Sequence, residues 1–250
     1  MTGLRVVLVA CLVSLCGSAW GADAPPTVPA GARVGVIDIV TNEIVHYHVG
    51  KSEVTNFLRT YRGRWSPADV IDEPLITALT ASGFQPVAVA ASEALLKEKE
   101  SWITKNPKAS KLPRGALKEL TRILAEQNLG ALIVVAPGMN SEPDFDARGR
   151  LTRLPSATQG FGFSTSDDPD GVTKPVVFDF TQMFVVARTS DGAALLVRDW
   201  DGNRIYEWPG FDPGPNVKSL SDPQIAPLQA LYTDIVKKRI DTRIVPRLKP

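Results

Sequence analysis

The chain is poor in cysteine and histidine and has no charge bias. Its two cysteines, Cys11 and Cys16, both fall in the first 21 of 250 residues. If that stretch is removed, no cysteine remains. Disulfides, thiolate nucleophiles and cysteine-based zinc or iron–sulfur sites are then excluded together. A cysteine-free chain also suits an oxidising compartment, where nothing can mispair. There are two histidines, which limits imidazole chemistry to His46 and His48. The 28 basic side chains face 27 acidic ones, so the basic excess that a dedicated nucleic-acid binder needs is absent. Beyond the N-terminal segment no apolar run approaches the ~18 residues that suggest a membrane span. At 44% hydrophobic and 22% charged, the composition is that of a globular protein, not a disordered or fibrous one.

Residues 1–21 read as a secretory signal. Arg5 supplies the positive start, Val6 to Leu15 is an apolar run too short for a permanent span, and small residues gather from Gly17 to Ala22. Cleavage is expected between Ala19 and Ala22. Two cysteines invite a lipoprotein reading, but Cys11 follows a short apolar run and Cys16 follows the bulky Leu15, so a lipidated form is the lesser expectation. Losing Arg5 brings the basic and acidic side chains into balance. The expected location is the periplasm.

Residues 22–32 are a Pro/Gly-rich lead-in, and 33–250 read as one domain. Arg33 to Val40 is apolar on both faces, as in a covered strand. Thr41-Asn42 predicts a turn into Glu43–Val49, which makes an N-terminal hairpin. Ser66-Pro67-Ala68-Asp69 opens a helix that Gly83 ends, with Pro74 kinking it near Asp72. Gln85 to Ala91 is a strand. Ser92 caps a second helix running toward Trp102. Pro113 opens a third, carrying Leu117, Leu120 and Leu124, which Gly130 closes before the strand 131–135. Residues 137–175 hold five each of Gly, Pro and Asp and predict an irregular excursion projecting from the sheet, with a strand from Gln159 to Thr165. Asp191-Gly192 and Asp201-Gly202 punctuate a C-terminal β-meander. A C-terminal helix covers 224–240, with Lys237, Lys238 and Arg239 at the end where the helix dipole favours cations. Helices alternating with apolar strands make this an α/β fold with a mixed sheet.

Each candidate chemistry meets a specific obstacle. Gly50-Lys51-Ser52 resembles the end of a phosphate-binding loop, yet Val45 stands where the first glycine belongs. His46 and His48 at i and i+2 on a strand share one face, and with Asp38 on a partner strand they offer two imidazoles and a carboxylate for zinc or copper. Asp144-Phe145-Asp146-Ala147-Arg148-Gly149 begins like a calcium loop, but Arg148 and Pro155 occupy ligand positions. Asp167-Asp168-Pro169-Asp170-Gly171 reads as a solvated acidic turn, and Asp199 as the end of a strand. No G-x-S-x-G elbow is present, so a serine hydrolase has no support. Paired carboxylates in a cleft would make a hydrolase, but sequence does not show which acids meet. Trp65, Trp102, Trp200 and Trp208 suit packing or stacking on a ligand.

Val34-Gly35-Val36-Ile37, Trp65 to Asp72, Leu79 to Val87 and Leu129 to Val135 carry a resemblance over residues 33–136. The chain resembles uncharacterised secreted α/β proteins of Gram-negative bacteria, similar in architecture to the α/β domain of the TolB N-terminal region and of the curli-secretion lipoprotein. The resemblance implies an envelope setting and a non-enzymatic binding or assembly role. It supplies no catalytic residue, metal ligand or cofactor. The expected partner is another envelope protein, with no nucleic acid and no transmembrane segment. A hydrolase using paired carboxylates and a metal-binding protein using His46 and His48 are the alternatives.

Overall fold

The computed structural model describes residues 26–50, 57–62, 66, 68–97, 112–138, 144–145, 151–153, 160–167, 175–199, 205–208, 210 and 222–249. The strands are β1 (33–38), β2 (43–49), β3 (57–62), β4 (85–88), β5 (131–137), β6 (144–145), β7 (151–153), β8 (160–166), β9 (176–189), β10 (192–199) and β11 (205–207). The helices are α1 (73–81), α2 (93–97), α3 (114–126), α4 (222–239) and α5 (245–248). Residues 1–21, where a signal is expected, Trp65, Trp102, Trp200, residues 51–56 and the turn at 201–202 lie outside the described residues.

Nine strands form one mixed sheet in the order β3-β2-β8-β9-β5-β1-β4, with β10 and β11 also on β9. The fold is α/β, as the helix–strand alternation predicts. The 14-residue β9 is the spine. One of its edges takes β8 at 176–180 and then β5 at 181–187. The other takes β11 at 176–178 and β10 at 183–189.

β1 and β5 are apolar on both faces, and each face has its own cover. On one face Val34, Val36, Ile133 and Val135 join Leu75 and Leu79 of α1 and Leu228 and Tyr232 of α4. On the other Ile37, Leu132 and Val134 join Leu120, Ile123 and Leu124 of α3. A Cβ on Gly35 would overlap the side chain of Leu129, which is why this central strand carries glycine there.

The local signals hold in several places. A π-helical turn at Ala68–Asp72 leads into α1 at Glu73, which puts the irregularity where Pro74 predicts it. Gly83 has φ 84°, a left-handed C-terminal position. The Ser92 hydroxyl accepts the Leu95 N–H at 3.2 Å at the start of α2.

Four expectations are corrected. β1 does not pair with β2; it lies parallel between β4 and β5, and the N-terminal hairpin is β2 with β3. A strand apolar on both faces is stabilised most at the sheet centre, and the Asp38 carboxylate accepts the Val40 N–H at 2.7 Å as the chain leaves β1. β11 pairs with β9, not β10, so the last three strands are not a consecutive meander. β9 is long enough to seat both along one edge. Residues 160–166 do not project; β8 is a central strand between β2 and β9. Its Gly162 serves packing, since a Cβ there would overlap the Phe178 ring, and its Gly160 has φ 69°, a conformation that favours glycine. The helix ending α3 turns at Asn128, φ 51°, and Gly130 instead avoids a 2.9 Å clash with Ala32.

Candidate functional site

β2 places His46 and His48 on one face of the sheet, as i, i+2 strand residues must be. In register, β8 sets Phe163 beside His46 and Thr165 beside His48. On the other flank β3 sets Arg59 beside His46 and Phe57 beside His48. His46 stacks on Phe163 at 4.2 Å between ring centres, and His48 on Phe57 at 4.7 Å. Both histidines are buried, and Thr165 is 2% exposed.

The two imidazoles converge on one hydroxyl. His46 Nε2 lies 2.8 Å from Thr165 Oγ1, and His48 Nδ1 lies 2.9 Å from it. The outer nitrogens lead away: His46 Nδ1 to the Tyr61 hydroxyl at 3.3 Å, His48 Nε2 to the Asp167 carboxylate at 3.3 Å. The Asp167 N–H donates to the Val49 carbonyl at 3.0 Å, which holds that carboxylate at the end of β2.

Donor and acceptor capacity then orders the chain. A carboxylate accepts, so His48 donates from Nε2, and in the neutral ring its Nδ1 then accepts the Thr165 proton. Thr165 has one proton, so His46 must donate to it from Nε2. His46 Nδ1 is left to accept from Tyr61. The result is one directed relay, Tyr61 to His46 to Thr165 to His48 to Asp167, in which neither imidazole need carry charge. Burial above all, helped by the nearby Arg59 charge, pulls the His46 pKa from 6.5 down to about 3, in keeping with a neutral ring. The relay runs from half-buried Tyr61 through a sealed centre to Asp167, whose side chain is 40% exposed.

Asp38, the third ligand that sequence brings to the histidines, is elsewhere. β1 and β2 are not neighbours, and the histidine nitrogens that converge do so on a threonine. Among the described residues no group of three metal-ligating side chains comes together. Of the acidic turn at 167–171, Asp167 is the described member, and it serves His48.

A second polar centre was not legible in the sequence. Arg239, expected at a helix end, is buried, because helical turns continue from α4 through a π-helical stretch at Ile240–Ile244 into α5. Its Nε donates to the Asp199 carboxylate. Nη1 donates to Asp179 at 3.0 Å and to the Thr181 hydroxyl at 2.6 Å. Nη2 donates to the carbonyls of Thr181 and Asp199 at 2.9 and 3.0 Å. All five guanidinium protons are used. Arg243 adds a 3.2 Å contact to Asp199. Asp199 is thus more than the end of a strand. The two buried acids are not a free catalytic pair either, because a guanidinium lies between them. The one advance signal was an Asp at alternate positions of an otherwise apolar strand, Val177-Phe178-Asp179-Phe180.

Beside this clamp a cleft of about 420 Å³ is lined by Tyr206, Asp234, Lys238 and Arg243, with Arg239 on its floor. Its lining carries Lys238, Arg239 and Arg243 against one carboxylate, Asp234, and two of those cations are held by buried acids behind the wall: Arg239 by Asp179 and Asp199, Arg243 by Asp199. Among the described residues no helix is long and apolar enough to cross a membrane.

No family model and no curated protein matches the chain. Among solved structures, the hypothetical protein CT253 from Chlamydia trachomatis is similar at 9% identity with a TM-score of 0.36, over 85% of this chain and 96% of that one. A likeness at that level carries neither fold nor function to this chain.

Proposed function

We propose that the protein is a periplasmic binding or envelope-assembly module that acts through protein contacts and has no catalysis of its own. One observation carries this reading: the polar groups best suited to chemistry are turned inward and satisfied by one another. The Thr165 hydroxyl serves two imidazoles in a sealed layer, and Arg239 holds both buried acids. A nucleophile or general base needs a position that a substrate can reach. The secretory segment and the resemblance over 33–136 support the envelope setting, and another envelope protein is the partner this reading calls for.

The test is chemical cross-linking of the tagged chain in intact periplasm, followed by affinity capture and mass spectrometry. A specific, stoichiometric envelope protein is the expected result. Capture of background proteins alone, at every cross-linker length, would count decisively against the reading.

A further inference from the structure

We propose that the cleft beside the Arg239 clamp is a binding site for a neutral saccharide. This goes beyond the protein-contact reading, since sugar binding needs no partner protein.

Two elements build the cleft. β11 contributes Tyr206, and α4 with the helical turns that continue it contributes the remaining described lining. Its volume of about 420 Å³ falls within the ~300–1,000 Å³ of small-molecule sites. The clamp holds the Arg239 floor through bonds to Asp199, Asp179 and Thr181, so that floor is set before a ligand arrives.

Charge narrows the ligand class. Lys238, Arg239 and Arg243 stand at the cleft, with Asp234 beside them and Asp179 and Asp199 behind Arg239. Three cations thus meet three carboxylates, and a ligand of either sign gains no net attraction. An apolar ligand fares worse. It would strip water from Asp234, Lys238 and Arg243 and return no hydrogen bond.

A neutral polyhydroxyl ligand fits the lining. Asp234, Lys238 and Thr242 are exposed and recur at intervals of four, as one row along the helical segment. The row offers both senses of hydrogen bond. The Lys238 ammonium donates and the Asp234 carboxylate accepts. The Thr242 hydroxyl gives its proton to the Lys238 carbonyl at 2.7 Å, so towards a ligand it accepts. A sugar hydroxyl donates and accepts at once and needs both kinds close together. Its ring C–H groups need an apolar seat, which the 38% exposed Tyr206 supplies together with Ile235.

The test titrates the full chain, labelled with nitrogen-15, with four compounds over one millimolar range. Maltose and N,N′-diacetylchitobiose are neutral disaccharides, glutarate is an anion and glycylglycine a zwitterion. At least one disaccharide is expected to shift the amide signals of Tyr206, Asp234, Lys238 and Thr242, while glutarate and glycylglycine leave them in place. Tyr206→Ala should weaken sugar binding roughly tenfold, and Tyr206→Phe, which keeps the ring, should stay within about twofold. No shift with either sugar, equal shifts with all four compounds, or shifts confined to other parts of the chain would overturn the proposal. So would parental binding by Tyr206→Ala. Each of these failures leaves the protein-contact reading intact, because none concerns a partner protein.

Discussion

Arg239 on the C-terminal helix and Asp199 at the end of β10 form a buried ion pair between residues 40 positions apart. Asp179 completes it from β9 at 3.0 Å. The guanidinium thereby ties the C-terminal helical segment to the strand that spans the whole sheet.

Arg239→Met should therefore destabilise the protein by ~3–5 kcal/mol, because two buried carboxylates lose their partner. Arg239→Lys should recover little, since an ammonium cannot reproduce the forked contacts. Urea unfolding of both variants measures this. A loss under 1 kcal/mol for the methionine variant would show that the clamp is not what holds the helix.

The relay makes a spectroscopic prediction. Both histidines should carry their proton on Nε2 at neutral pH, as read from long-range nitrogen–proton spectra of the rings. Thr165→Val keeps the shape and deletes the shared hydroxyl. It should cost ~1–3 kcal/mol and change the His46 and His48 ring signals together. A shift in one ring alone would break the proposed order.

His46 also sets a pH dependence. Its folded pKa is about 3 against 6.5 for the free side chain, so the unfolded chain binds the extra proton. The resulting stability is fully present above 6.5 and is lost progressively as pH falls toward about 3. His46→Gln should lose less stability than the parent between pH 7 and 4 in urea titrations. Parallel losses would remove His46 as the cause.

Asp72 has the opposite sign. Among the described residues one of its carboxylate oxygens is buried without a hydrogen-bond partner, and burial raises its pKa. Asp72→Asn should stabilise the protein by about 1 kcal/mol at pH 7, with the gain shrinking in acid as the parent carboxyl takes up a proton. Thermal melts at pH 7 and pH 4 test both halves of this expectation.

Gly162 should not tolerate a side chain. Gly162→Ala should destabilise by ~1–3 kcal/mol, since its methyl would enter the Phe178 ring. In the Phe178→Ala background the same change should cost less, with a remainder because the methyl would still overlap the Val45 carbonyl. Additive effects in that cycle would show that the two residues do not share the space.

Local chemistry made much of the architecture legible. Apolar runs at 33–40 and 131–135 predict covered strands, the spacing of Leu117, Leu120 and Leu124 after Pro113 predicts a helix, and Ser92 and Gly83 mark helix ends. These signals act within a few residues, so the sequence alone carries them. The same holds for His46 and His48 sharing a face, which follows from the pleat. What stands next to them does not. Thr165 lies 119 residues from His46, and Asp38, the nearer acid, goes to a different part of the sheet. Strand order decides such neighbours, and it depends on which faces the helices cover and on how much edge β9 offers. The same long-range choice turned an apparently solvated Arg239 into a buried clamp and a glycine-rich excursion into a central strand. Local propensity determined the elements, and tertiary pairing determined which side chains meet, because a contact between distant residues has no trace in the sequence near either one.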